Sequence, residues 1–256
     1  MIELVGADPR EHGFQSVALD DYLRVLHTEE RLHRSAASTV GVIVASGEIL
    51  DGNQPSGTVG GESTAALLRQ ARQDPAIKAV VLRIDSPGGS VLAAEQIYRE
   101  VQLLRTAGKP VVASMGGLAA SGGYYIAAPA DEILASANTI TGSIGVFATV
   151  PTFDRTLAKL GVHVDGVGTT ALSGSLRLDR PLQPAIESIL QASVDHSYAQ
   201  FIQRVASGRR KTPAQIDAIA QGRVWAGRDA LRLGLVDRIG GYDDAVQAAA
   251  RRAKLG

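Results

Sequence analysis

Two stretches of this chain gather residues that could do acyl-transfer chemistry. The first is Val111-Val112-Ala113-Ser114-Met115-Gly116-Gly117-Leu118-Ala119-Ala120-Ser121-Gly122-Gly123-Tyr124-Tyr125-Ile126-Ala127. It reads as a buried strand over Val111 to Ser114, a turn of glycine and alanine, and a short apolar helix entered at Ser121. A serine there lies beside helix N–H groups without intrahelical partners, where the helix dipole is positive. The glycines allow a tight turn, and small neighbours let another backbone come close. Serine is also a preferred N-cap, so taken alone Ser121 is more simply a cap than a nucleophile.

The second stretch changes that balance. Val80-Val81-Leu82-Arg83-Ile84-Asp85-Ser86-Pro87-Gly88-Gly89-Ser90-Val91 is again an apolar strand, now running into a Pro-Gly-Gly turn and an amphipathic helix, Leu92 to Arg105. Alone, the turn needs only a structural reading. Together, two strands ending in glycine-rich turns put several backbone N–H groups at one sheet edge. Such donors can hold the oxyanion of acyl transfer. The pair favours a serine hydrolase site.

The elements that must position these turns follow a βα alternation. Strands are expected at Thr39 to Ala45, Ala79 to Ile84, Val111 to Ser114 and Glu132 to Ala135, with helices at Glu62 to Asp74 and Leu92 to Arg105 between them. Gly47 to Gly61 reads as a glycine-rich loop. This order predicts a largely parallel sheet. Further on, Thr141-Gly142-Ser143-Ile144-Gly145-Val146 reads as a turn into strand-like Val146 to Val150. A helix at Phe153 to Leu160 and a strand at Val162 to Val167 come next. Gly168 to Pro184 reads as irregular. Helices are expected at Ala185 to Ala206, from Thr212-Pro213-Ala214-Gln215 onward, at Ala226 to Leu233 and at Tyr242 to Lys254. The C-terminal third is therefore expected to be helical. Residues 1–38 read as an extension or inter-domain connector, and 39–256 as the main domain.

Composition narrows the function classes. The chain has 256 residues, 26 basic against 26 acidic, and 45% hydrophobic residues, enough for one substantial core. Balanced charge argues against a nucleic-acid surface. With no cysteine, disulfides and thiolate chemistry are excluded. No apolar run is long enough to span a bilayer, and no secretory signal opens the sequence. No histidine pair has metal-ligand spacing on one element, so neither metal nor cofactor is expected.

Leu82 to Ser90, Ser114 to Tyr125 and Thr141 to Val146 resemble the signal peptide peptidase SppA family, serine peptidases of the ClpP/crotonase fold. Val224-Trp225-Ala226-Gly227-Arg228-Asp229-Ala230 and Gly234-Leu235-Val236-Asp237 match as well, so the likeness runs from about Thr39 to the C-terminus. The fold implied is α/β, a spiral of β-β-α units with a largely parallel sheet. The chain is most similar to the C-terminal half of the long, duplicated form, in which a membrane-anchored half comes first. The connector-like start fits that reading. The resemblance also implies peptide substrates, a homo-oligomer and a membrane-associated, extracytoplasmic setting.

Carried over residue by residue, Ser121 matches the nucleophile. Gly89 and the Gly122 N–H match the oxyanion hole, with Gly88 shaping the turn, and Ser143 matches a hydroxyl that helps to position a lysine. The family's base is that lysine, but Ala171 stands at its place and no lysine occurs between Lys159 and Lys211. The long form implies a lysine from the N-terminal half or a neighbouring subunit. A base near neutral pH must be desolvated, because free lysine titrates at about 10.4. Lys159 and Lys109 read as solvated or structural. A Ser-His-Asp site is disfavoured. His163 alternates with Val162 and Val164 on a strand, His196 lies on a long helix, and His12, His27 and His33 lie in the extension. Tyr124 and Tyr125 read as packing residues. Two other readings stand beside the peptidase: a non-catalytic assembly domain, in which Ser121 only caps, and a crotonase-like acyl-CoA enzyme.

Overall fold

The computed structural model describes residues 38–170 and 172–255. The connector expected over residues 1–38 thus lies almost wholly outside the described residues, as does Ala171.

A parallel sheet forms the centre. Its strands are β1 (Thr39–Ser46), β4 (Ile77–Ser86), β5 (Val111–Ala120), β6 (Glu132–Ala135) and β9 (Arg238–Ile239), hydrogen-bonded in that order. β2 (Ile49–Leu50) and β3 (Val59–Gly60) make a small second sheet. Helices α1 (Gly61–Gln73) and α2 (Val91–Thr106) follow β3 and β4. Alternating side chains divide the sheet between two cores, as the period of two requires. Val80, Leu82, Ile84, Val111 and Ala113 share the larger core with Leu68, Ile97 and Val101 of these helices. Val81, Val112 and Leu134 point the other way, against Ala245, Ala248 and Ala249 of α8 (Tyr242–Arg252). The near-continuous apolar runs of β4 and β5 are what burial on both faces selects.

Between these, the chain forms α3 (Gly122–Ala127), β7 (Ile140–Gly142), α4 (Asp154–Lys159), α5 (Pro184–Arg209), α6 (Pro213–Asp217), β8 (Val224–Ala226) and α7 (Gly227–Arg232). The α6 start, where a helix is expected from Thr212, carries a capping box, with Thr212 and Gln215 bonding each other's backbone.

Three expectations change. The glycine and alanine turn after Ser114 is strand: β5 continues to Ala120. Its register against β4 jumps from Ile84–Met115 to Ser86–Ala119, so Gly116 and Gly117 lie in a bulge. A Cβ on Gly116 would stand 2.9 Å from Asp85 Cγ, and the Asp85 carboxylate accepts the Leu118 N–H at 3.0 Å. The bulge also lets β5 change neighbours, from β6 at Val112–Ser114 to β7 at Leu118–Ala120.

The strands expected at Val146–Val150 and Val162–Val167 are irregular backbone. Val162 and Val167 are exposed and find no sheet partner among the described residues. Alternation supplies propensity, but a strand needs an edge to pair with. The C-terminal third is mostly helical, with β8 and β9 as short additions to the sheet.

Candidate active site

The strand end at Ala120 delivers Ser121 into a sharp turn. Its backbone has φ 53° and ψ −120°, which an L-residue adopts only with strain of about 1–3 kcal/mol. Ser121 occupies the N-cap position of α3 yet its side chain makes no cap hydrogen bond. The capping reading therefore fails: the hydroxyl has no hydrogen-bond partner among the described residues, and Ser121 is partly exposed. The turn is pinned from both sides, with the Ser121 N–H on the Gly142 carbonyl at 2.9 Å and the Ser121 carbonyl accepting the Tyr125 N–H at 2.9 Å.

The Pro-Gly-Gly turn lies against it. Gly88 has φ 105°, and a Cβ there would stand 2.8 Å from Ser121 Cβ and 2.6 Å from the Gly122 nitrogen. Gly89 has φ 147° and forms an isolated parallel bridge with Ile49 of β2. The Ile49 N–H donates to the Gly88 carbonyl at 2.8 Å, and the Ser90 N–H to the Ile49 carbonyl at 2.8 Å. The Gly88 N–H is spent on the Ser86 hydroxyl, 3.2 Å away. The N–H groups of Gly89 and Gly122, by contrast, meet no acceptor among the described residues. Two idle donors beside a free hydroxyl are the geometry that oxyanion stabilisation needs.

Ser143 completes this side. Its φ of 48° makes it a second non-glycine residue in a left-handed conformation. Its N–H bonds the Arg223 carbonyl at 2.8 Å, and the pairing of Thr141 with Trp225 across β7 and β8 clamps the turn. The Trp225 indole N–H is anchored on the Ile219 carbonyl at 3.0 Å. This explains the Val-Trp-Ala-Gly motif, whose three-residue strand is too short for sequence periodicity to reveal.

Ser121, Ser143, Gly88 and Gly89 all line one cleft of about 630 Å³, together with Glu48 and Phe147. A second pocket of only about 20 Å³ adjoins it, lined by Val91, Ala94, Tyr125 and Phe201 among others. Glu48, Phe147, Tyr198 and Gln221 were not marked by sequence reasoning, because each reaches the cleft only through tertiary folding.

The serine helix is held by both of its tyrosines. The Tyr124 hydroxyl donates to the Leu235 carbonyl at 2.7 Å, and full burial pushes its pKa well up. Tyr125 packs edge-on against Tyr98 and donates to Glu95 of α2 at 2.6 Å. Glu95 also takes Arg99 at 2.9 Å and Arg204 of α5 at 2.6 Å. Burial alone would raise the Glu95 carboxyl, but the hydrogen bonds from Tyr125, Arg99 and Arg204 hold it below its ordinary value. That network ties α3 to the helix after the Pro-Gly-Gly turn.

None of the chain's five lysines lines the cleft. Lys109 precedes β5, at the end away from Ser121, and its ammonium donates to the Ala71 and Asp74 carbonyls at 2.8 and 2.6 Å. Lys159 is exposed on α4. His163 and His196 are both exposed, and neither lines the cleft.

Comparison with known proteins agrees with this geometry. The profile of Peptidase family S49 matches residues 104–256, and that of Clp protease matches residues 33–140. The chain is 46% identical to Protease 4 of Salmonella typhi over 250 residues, 98% of this chain and 39% of that protein. It is 36% identical to the chloroplastic serine protease SPPA of Arabidopsis thaliana over 221 residues, 84% of this chain and 32% of the relative. With slr0021 of Synechocystis sp. the identity is 41% over 202 residues, 78% of this chain and 73% of that one. The chain thus spans about two fifths of the length of Protease 4, and its fold is of the ClpP/crotonase type. On these matches the chain belongs to peptidase family S49.

Proposed function

We propose that this chain is the serine-bearing part of a peptidase that cleaves apolar peptides, such as remnant signal peptides, through an acyl-enzyme. The observation that carries the reading is Ser121, a free hydroxyl on strained backbone beside two unused N–H donors. Its oxygen attacks the scissile carbonyl while a base takes its proton. The Gly89 and Gly122 N–H groups hold the oxyanion. Collapse returns the proton to the departing amine, and water then hydrolyses the acyl-enzyme. An acyl-CoA enzyme of this fold has no use for a strained serine, and no observation here favours that reading.

The base in this account is a lysine from outside the cleft's own lining, supplied by a lysine-bearing N-terminal half or a neighbouring subunit. In this reading the hydroxyl of Ser143, which lines the same cleft as Ser121, orients that lysine. The segment beyond Ser143 supports a partner at this place: Phe147 is 89% exposed, and Val150, Phe153 and Leu160 follow it at the surface. Apolar side chains massed beside a cleft are what a covering subunit buries. The membrane-associated, extracytoplasmic setting rests on family resemblance; no helix among the described residues is long and apolar enough to cross a membrane.

The test is labelling with a serine-reactive fluorophosphonate in the presence of a lysine-bearing half, with the adduct located by mass spectrometry. A single adduct on Ser121, lost in Ser121→Ala, is expected. Labelling elsewhere, or none at all, would overturn the assignment.

A further inference from the structure

Among the described residues that line the cleft, Glu48 is the only one with a formally charged side chain. It lies at the start of the loop that pairs with the oxyanion turn, since the neighbouring Ile49 bridges Gly89. Its side chain is exposed, and it makes no ion pair among the described residues. The flanking sequence shares its sign. From Thr39 to Leu68 the sequence carries Glu48, Asp51 and Glu62 and no lysine or arginine. Asp51 accepts the hydroxyl of Ser90, the residue after Gly89.

We propose that Glu48 is a specificity residue, selecting apolar peptides that carry a lysine or arginine within a few residues of the cleaved bond. This inference rests on the peptidase reading above for its substrate class.

Binding separates the two. Fluorescence anisotropy of the Ser121→Ala chain would be measured with labelled peptides that share an apolar core and differ by Lys, Gln or Glu placed on each side of it in turn. On the side that meets Glu48 the Lys peptide should bind about fivefold tighter than the Gln peptide and the Glu peptide weaker still, the contribution expected of one exposed pair. The preference should shrink in high salt. Glu48→Gln should level the series and Glu48→Lys should invert it. Equal binding of all three peptides on both sides would overturn the proposal, as would a preference that survives Glu48→Gln. Turnover of the same peptides by the wild-type chain with a lysine-bearing half reports on the peptidase reading by itself. A Glu48-dependent preference in binding with no turnover would sink that reading and keep Glu48 as a recognition residue.

Discussion

Gly88 lays its bare α-carbon against Ser121: a β-carbon at position 88 would stand 2.8 Å from that of the serine. The same β-carbon would stand 2.6 Å from the Gly122 nitrogen, one of the two idle donors. Gly88→Ala therefore forces the two turns apart. Overpacking of this kind costs about 2 kcal/mol of stability. Displacing an oxyanion donor costs on the order of a hundredfold in rate. Urea unfolding and peptide turnover in the presence of a lysine-bearing half would read the two effects.

Gly89 carries a related prediction with a different cause. Any side chain there meets the Ile49 carbonyl, so the damage falls on the bridge to β2 before it falls on substrate. Gly89→Val should unfold more readily than wild type as well as lose activity. Normal stability would mean that β2 yields.

Ser121 offers a test that separates strain from chemistry. Ser121→Gly relieves the positive φ, worth about 1–3 kcal/mol, against about 0.5–1 kcal/mol of added chain entropy. The expected outcome is a protein about 1 kcal/mol more stable than wild type and inactive. Ser121→Ala should be inactive without that gain, because alanine keeps the strain.

The Arg209–Asp237 pair fixes a pH dependence. The Arg209 side chain is almost fully buried and donates to Asp237 at 2.9 Å, while Asp237 also accepts the Ile133 N–H at 2.8 Å. Burial pushes the Asp237 carboxyl up, but Arg209 and the Ile133 N–H outweigh it and hold it below its ordinary value. A depressed carboxyl stabilises the fold above its unfolded value of about 3.9 and loses that contribution as pH falls through the lower folded value. Asp237→Asn should cost about 1–2 kcal/mol at pH 7, trimmed because the carboxylate is partly exposed. The gap between variant and wild type should begin to narrow below about pH 4 and close only once the pH falls below the lower folded value. Urea titrations at both pH values check the sign.

Much of this was legible in the sequence. The apolar strands before each glycine-rich turn predicted the parallel sheet, and two such turns predicted a shared edge. Whether Ser121 caps or stays free could not be read there, because a cap and a strained elbow share the same serine-glycine sequence. Only φ and the missing cap bond decide it. Gly116-Gly117 looked like a turn because glycine punctuates turns more often than strands; Asp85, from the adjacent strand, is what makes it a bulge. Val162 to Val167 alternates like a strand, but the sheet has no edge there to receive it. Ala171, which the family resemblance sets at the lysine's place, lies outside the described residues. The proposed base could be read only as an absence, since no lysine of this chain lines the cleft.

The central claim is that Ser121 is the nucleophile and that its base arrives from another domain or subunit. Hydrolysis of an internally quenched apolar peptide tests it directly, comparing the chain alone with the chain mixed with a lysine-bearing half, each as wild type and Ser121→Ala. The account predicts near-background turnover by the chain alone and strong turnover on mixing, abolished by Ser121→Ala. Turnover that survives Ser121→Ala, or full turnover by the chain alone, would contradict it.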